Sequence, residues 1–308
     1  SCEDEFLARH GLPKGSMQLL GPEAADRLYD AMGSAREISG GSAANTMAGV
    51  AAMGGRAAFV GQVAADQLGR IFAHDIRALG VQFDTAPLQS ELPTGRCLIL
   101  VTPDAQRTMN TCPGASHKLA PESLEEGLIA AAAILYLEGY LFGPELPRGA
   151  MMRAVEIARA AGNQVAFTVS DSVVLDGRRA GLNAMIEGGG IDLLFANEDE
   201  AVLLTGTSDL DGAIAALQPR VPSLVITRGP AGALAIEGGA RTDVPAVQVQ
   251  KVVDTTGAGD LFAAGFLAAR CTGHGIDRQL LTGAIAAAEV IGHFGARPVA
   301  DLRELVKL

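Results

Sequence analysis

Four short apolar runs alternate with helical patterns through the second half of the chain: Ala133–Leu137, Val165–Val169, Leu193–Ala196 and Leu224–Thr227. Runs this short, apolar along their whole length, fit strands covered on both faces. Between and after them, Ala150–Ala161, Asn197–Thr205 and Ser208–Leu217 carry helical spacing. Strand–helix–strand alternation leaves few topologies open, because such crossovers are right-handed and bring successive strands side by side. The chain therefore reads as α/β with a mostly parallel sheet. Ligands in such sheets sit at the carboxyl ends of the strands. Of the 308 residues, 48% are hydrophobic and 19% charged, which is enough to bury such a sheet and excludes bulk disorder.

The first half is organised differently. Residues 42–53 read as a small-residue helix ending at Gly54-Gly55, followed by a strand over Ala57–Val63. Residues 66–79 form an amphipathic helix with Asp66 as N-cap and Leu68, Ile71, Phe72, Ile76 and Leu79 on one face. Within 81–112, a hairpin is predicted from Cys97–Val101 and Gln106–Asn110, with Pro103-Asp104 in the turn. This piece reads as a small sheet outside the main layer. Residues 233–252 suggest a second hairpin, and 257–271 and 277–292 two closing helices.

A net charge of −11 gives no general attraction for nucleic acid or anionic membrane. Phosphate, if bound, must be held by local features. Cys2, Cys97, Cys112 and Cys271 form no C-x-x-C pair. They suggest neither a structural zinc site nor a disulfide framework, and a reducing cytoplasm is the expected compartment. No run of about 18 strongly apolar residues predicts a membrane span, and no signal peptide is visible.

Two segments carry chemistry. Asp254-Thr255-Thr256-Gly257-Ala258-Gly259-Asp260 comes after a strand-like run and opens an apolar helix. Gly257-Ala258-Gly259 allows a sharp turn and a close ligand approach, and a helix N-terminus favours negative charge. Asp260, at the rim, can take a proton from an attacking hydroxyl. Ser39-Gly40-Gly41-Ser42-Ala43-Ala44-Asn45 precedes the first clear helix. Its paired glycines admit a polyol, and Asn45 offers a donor and an acceptor to neighbouring hydroxyls. Taken singly, each segment is also an ordinary turn and helix start. There is no Walker A motif and no strand–G-x-G-x-x-G–helix unit for a dinucleotide.

D-T-T-G-A-G-D-x-F-x-x-G, and G-G-S-x-x-N followed by Gly54, Gly55, Phe59, Val60, Gly61, Val63 and Asp66, resemble the two signatures of the ribokinase (PfkB) family of sugar and nucleoside kinases. They stand in the family's order, about 200 residues apart. The resemblance implies a Rossmann-type three-layer α/β/α core in one kinase domain, with a small β lid from about 12–40 and 81–112. It implies transfer of the ATP γ-phosphoryl group to a primary hydroxyl, with Mg²⁺ and a K⁺-type monovalent ion as cofactors. Asp260 would be the base and the amides of Gly257, Ala258 and Gly259 the anion hole. Carbonyls near Asp254 and Thr256 would hold the monovalent cation. Gly40, Gly41, Ser42 and Asn45 would bind the acceptor, with Arg107 reaching from the lid over the phosphates. Asn197 and Glu200, in an N-x-x-E arrangement, would organise Mg²⁺ through water, and Thr227, Arg228 and Gly229 would meet the nucleotide phosphates. Family members open with a strand resembling G-x-N-x-x-x-D, whereas SCEDEFLARHGLPKGSMQLL resembles the segment just after that strand. A native strand carrying one more acceptor ligand is therefore expected upstream.

GGSAANTMAGVAAMGG, QRTMNTCPGAS and YLEGYLF look like bacterial adenosine-kinase-like members of the family. That makes the 5′-hydroxyl of adenosine the expected acceptor, with ribose or fructose as the alternative. A non-catalytic sensor on the same scaffold is the alternative of another class. Tyr136, Tyr140, Phe142 and Phe167 are the candidates for an adenine slot. The expected partner is a small molecule, not nucleic acid or membrane, and the protein is a monomer or homodimer.

Overall fold

The computed structural model describes residues 2–104 and 106–308. Along the chain run α1 (Asp4–Arg9), β1 (Met17–Leu19), α2 (Pro22–Ala31), α3 (Ser42–Ala52), β2 (Ala57–Ala58), α4 (Gln67–Ala78), β3 (Val81–Gln82), β4 (Arg96–Val101) and β5 (Arg107–Cys112). Next come α5 (Glu126–Ala130), β6 (Ile134–Glu138), α6 (Glu145–Ala160), β7 (Gln164–Thr168), α7 (Ser172–Leu175), α8 (Arg179–Glu187), β8 (Leu193–Asn197), α9 (Glu198–Thr205), α10 (Leu210–Leu217) and β9 (Ser223–Thr227). The chain closes with β10 (Ala233–Glu237), β11 (Ala240–Val244), α11 (Ala258–Cys271), α12 (Ile276–Val290) and α13 (Leu302–Val306).

The main sheet has the order β11-β10-β9-β8-β7-β6. Strands β6 to β9 pair in parallel, and β10 and β11 join antiparallel at one side. Successive side chains alternate between two cores. Val165, Phe167, Leu194, Leu224 and Ile226 pack on α6, α8, α9 and α10. Ala166, Leu193, Phe195 and Val225 pack on α3, α11 and α12. This is the α/β/α sandwich, and the double burial explains why these strands read as unbroken apolar runs.

A separate three-stranded sheet, β1-β5-β4, forms the lid. Leu98 and Cys112 face α2, packing on Ala25 and Leu28. The opposite face, with Met17, Ile99, Arg107 and Met109, looks toward the core. Two of the chain's crossings between lid and core, before β4 and after β5, bond to each other through Ala115 N–H and Pro93 O at 2.8 Å. Asp66 does more than cap α4 through Gly69 N–H at 2.7 Å: its carboxylate also accepts from the N–H of Thr94 at 2.8 Å and from its hydroxyl at 2.7 Å. The lid base is thereby hydrogen-bonded to the start of α4.

Several boundaries differ from expectation. Val81–Gln82, at the start of the 81–112 segment, pair with Ala57–Ala58 and lie outside the lid sheet. The predicted strand Ala57–Val63 is regular only over its first two residues; beyond them it bonds to single residues, Gln82 and Leu88. Helix α6 begins at Glu145, five residues before the predicted start, because Pro147 sits in the first turn, where its missing N–H costs nothing.

Candidate active site

A continuous cleft of about 2230 Å³ runs between the lid and the carboxyl ends of β6 to β9. This is larger than the roughly 300–1000 Å³ of a single small-ligand pocket and leaves room for two substrates.

At its centre is Asp260, three residues past Gly257 at the start of α11. Gly257 has φ +81, and a Cβ there would come within 2.6 Å of Ala296 Cβ, so only glycine permits this turn. Asp260 Oδ1 accepts from Ser42 Oγ at 2.7 Å and Oδ2 from Asn45 Nδ2 at 2.9 Å. The two segments singled out in the sequence therefore meet side chain to side chain. Burial raises the Asp260 pKa, while the bonds from Asn45 and Ser42 and the charge of Arg107 pull it back. Asn45 is 4% exposed and its Oδ1 has no hydrogen-bond partner among the described residues. Such an oxygen suits a donating hydroxyl.

Gly41, at φ +100, precedes α3 and turns its N-terminus into the cleft, with Gly40 beside it. Ser42 does not cap the helix; its hydroxyl goes to Asp260 instead. The next amide, Ala43 N–H, donates to Glu138 Oε2 at 2.7 Å. Glu138 is not foreseen from the sequence, where it ends an apolar strand; the signal is that lone acid at the carboxyl end of β6. Burial pushes its pKa up to about 7, the Ala43 amide opposes this, and the charge of Asp260 adds to it.

Arg107 reaches down from the lid and donates to the Thr255 carbonyl and, at 3.3 Å, to Thr255 Oγ1. Of the three predicted anion-hole amides, Ala258 N–H bonds Thr255 O at 3.3 Å. Those of Gly257 and Gly259 donate to no carbonyl among the described residues. Asp254 Oδ1 accepts from the N–H of Thr256 at 2.9 Å and its hydroxyl at 2.6 Å, and Oδ2 from Gly295 N–H at 3.3 Å.

Asn197 and Glu200 form a reciprocal capping box at α9. Glu200 N–H donates to Asn197 Oδ1 at 2.8 Å, while the Asn197 N–H and Nδ2 donate to the two Glu200 oxygens, each at 2.9 Å. Burial pushes the Glu200 pKa up to about 7, against the Asn197 backbone bond. Thr227 and Gly229 line the cleft at the end of β9, while the Arg228 guanidinium pairs with Glu198 at 3.4 Å. No group of three His, Cys, Asp or Glu residues able to hold a metal occurs among the described residues. A magnesium ion here would be held mainly by water and phosphate oxygens, which suits its reluctance to dehydrate.

The aromatic candidates divide. Phe142 and Phe167 stack edge to face in the core at 6.1 Å and lie under the sheet, away from any slot. Tyr140 lines the cleft and donates to Ser170 O at 3.2 Å. Tyr136 packs on Phe195 near Asp260. Phe59 and Phe72, not foreseen, also line the cleft.

A family model described as pfkB family carbohydrate kinase matches residues 18–302. The adenosine kinase of Sinorhizobium meliloti superposes with a TM-score of 0.97 at 43% identity, over 99% of this chain and 94% of that one. A structure described as a probable sugar kinase protein from Rhizobium etli CFN 42 gives 0.96 at 42% identity, over 99% and 93%. A fructokinase of Klebsiella pneumoniae is 30% identical over 86% of this chain and 87% of its own.

Proposed function

The chain belongs to the pfkB family of carbohydrate kinases, ATP-dependent enzymes acting on an alcohol, and we propose that its own acceptor is a nucleoside, adenosine foremost. The observation that carries this reading is the lid face over the cleft. Met17, Ile99 and Met109 pair across β1, β5 and β4 on that face, and Phe59 and Phe72 lie along the cleft wall. An apolar cover suits a flat base and gives a free sugar few hydrogen bonds. Likeness to the S. meliloti adenosine kinase supports the same reading. Likeness to the K. pneumoniae fructokinase supports a sugar acceptor as the second reading.

In the proposed reaction Asp260 takes the proton of the acceptor's primary hydroxyl as its oxygen attacks the γ-phosphorus. The bond from that phosphorus to the ADP oxygen breaks in line. Asn45 orients the acceptor through its unpartnered Oδ1, and Gly40, Gly41 and Ser42 shape the loop beneath it. The N–H groups of Gly257 and Gly259 and the start of α11 hold charge on the transferring group. Arg107 brings positive charge down from the lid. Thr227, Arg228 and Gly229 belong to the nucleotide side. Magnesium, when bound, offsets charge on the phosphates. Glu200, whose oxygens Asn197 already engages, would meet it through water. Backbone oxygens near Asp254 and Thr256 are the proposed seat of a monovalent ion.

The test is ADP production from MgATP across adenosine, inosine, guanosine, ribose and fructose. Adenosine should give the highest kcat/KM. A higher value for ribose or fructose overturns the nucleoside reading and leaves the phosphotransfer chemistry intact.

A further inference from the structure

The loop that delivers Gly40, Gly41 and Ser42 to Asp260 has little support of its own. Residues 33–41 form no helix or strand, and 33–38 are exposed. The Tyr29 hydroxyl donates to Glu37 on the outer side. Ile38 abuts Gly295, where an added Cβ would lie 3.0 Å from Ile38 Cδ1. Toward the core, Ser39 Oγ donates to Asp75 Oδ2 at 2.6 Å, two residues before the turn at Gly41.

Asp75 stands on α4, whose start is fixed by the Asp66 cap and whose Ile76 is fully buried. It is therefore a firm point from which to hold a soft loop. Its other oxygen lies 3.3 Å from His74 Nδ1, on the solvent side. No catalytic role described above uses Ser39 or Asp75.

We propose that Asp75 is a positioning residue for the acceptor loop, holding Ser39 so that Gly40–Ser42 stay in register with Asp260. The geometric part of this inference is independent of which acceptor is used. The kinetic part rests on the kinase reading above.

Arg36 gives a tryptic site inside the exposed stretch, so the loop can be interrogated without any substrate. Asp75→Asn and, as the milder change, Ser39→Ala should speed trypsin cleavage after Arg36 about tenfold, with the melting transition still cooperative. With acceptor and MgATP, both should raise acceptor KM about tenfold while kcat and ATP KM stay within about twofold; tenfold corresponds to about 1.4 kcal/mol, the size of a hydrogen bond to a charged group. Wild-type cleavage and wild-type acceptor KM in both Asp75→Asn and Ser39→Ala overturn the proposal. A wild-type protein that phosphorylates none of the acceptors would sink the substrate reading, while the cleavage rates would still decide this one.

Discussion

Asp260 shares its two oxygens between Ser42 and Asn45, so the group proposed to accept the proton is held by the residues proposed to hold the acceptor. Asp260→Ala should lower kcat at least about 100-fold and leave ATP affinity nearly unchanged, measured by steady-state kinetics and nucleotide titration. Glu138 adds a pH dependence. Its folded pKa, pushed up to about 7, stands above the ordinary 4.5, so the folded protein binds the extra proton between these values. That contribution to stability is full below about 4.5 and is lost as pH rises through 7. Glu200 acts in the same window. Glu138→Gln should therefore flatten the decline of Tm between pH 5 and 8, and an unaltered slope would show that Glu138 does not carry it. Asp260 was legible because a glycine turn and an acid lie together in the sequence. Glu138 was not, because its significance comes from Ala43, 95 residues away.

Elements α3, α11 and α12 bring the site together by packing unusually close. A Cβ at Gly265 would lie 2.5 Å from the Thr282 carbonyl of α12, and one at Gly49 would lie 2.6 Å from Ala264 Cβ. Gly265→Ala should cost about 1–3 kcal/mol in chemical denaturation, since backbone cannot yield as a flexible side chain can. Arg107 also ties the lid to the turn before α11, through Thr255. Arg107→Ala should raise acceptor-independent ATP hydrolysis relative to transfer, read as ADP formed per phosphorylated acceptor, because a looser lid admits water. Strands β6 to β9 were legible from their apolar runs, and α4 from its Asp66 cap; of its predicted face only Ile76 is buried, while Ile71 and Leu79 are exposed. Helix α8 was not, since Gly181 interrupts its pattern and only Leu182, Met185 and Ile186 are buried. Phe142 and Phe167 were candidates for a base slot because sequence shows an aromatic ring but not which side of a sheet it occupies; both lie in the core.

Across the whole molecule, the acceptor loop, the lid and the helix bearing Asp260 come from separate stretches of chain. The bond from Ser42 to Asp260 spans 218 positions, and the bond from Arg107 to Thr255 spans 148. Local helices and neighbouring β/α units can form without either bond, because their contacts close short loops. The centre therefore cannot exist in a partly folded chain, however much regular structure that chain has. In refolding from denaturant, helical circular dichroism should return before phosphotransfer does, and the two curves coinciding at all times would argue against this order. A chain emerging from the ribosome would, on the same grounds, carry its Gly40–Asn45 loop long before the residue that makes it useful, and would acquire activity only after Asp260 and the helix it opens had cleared the exit tunnel.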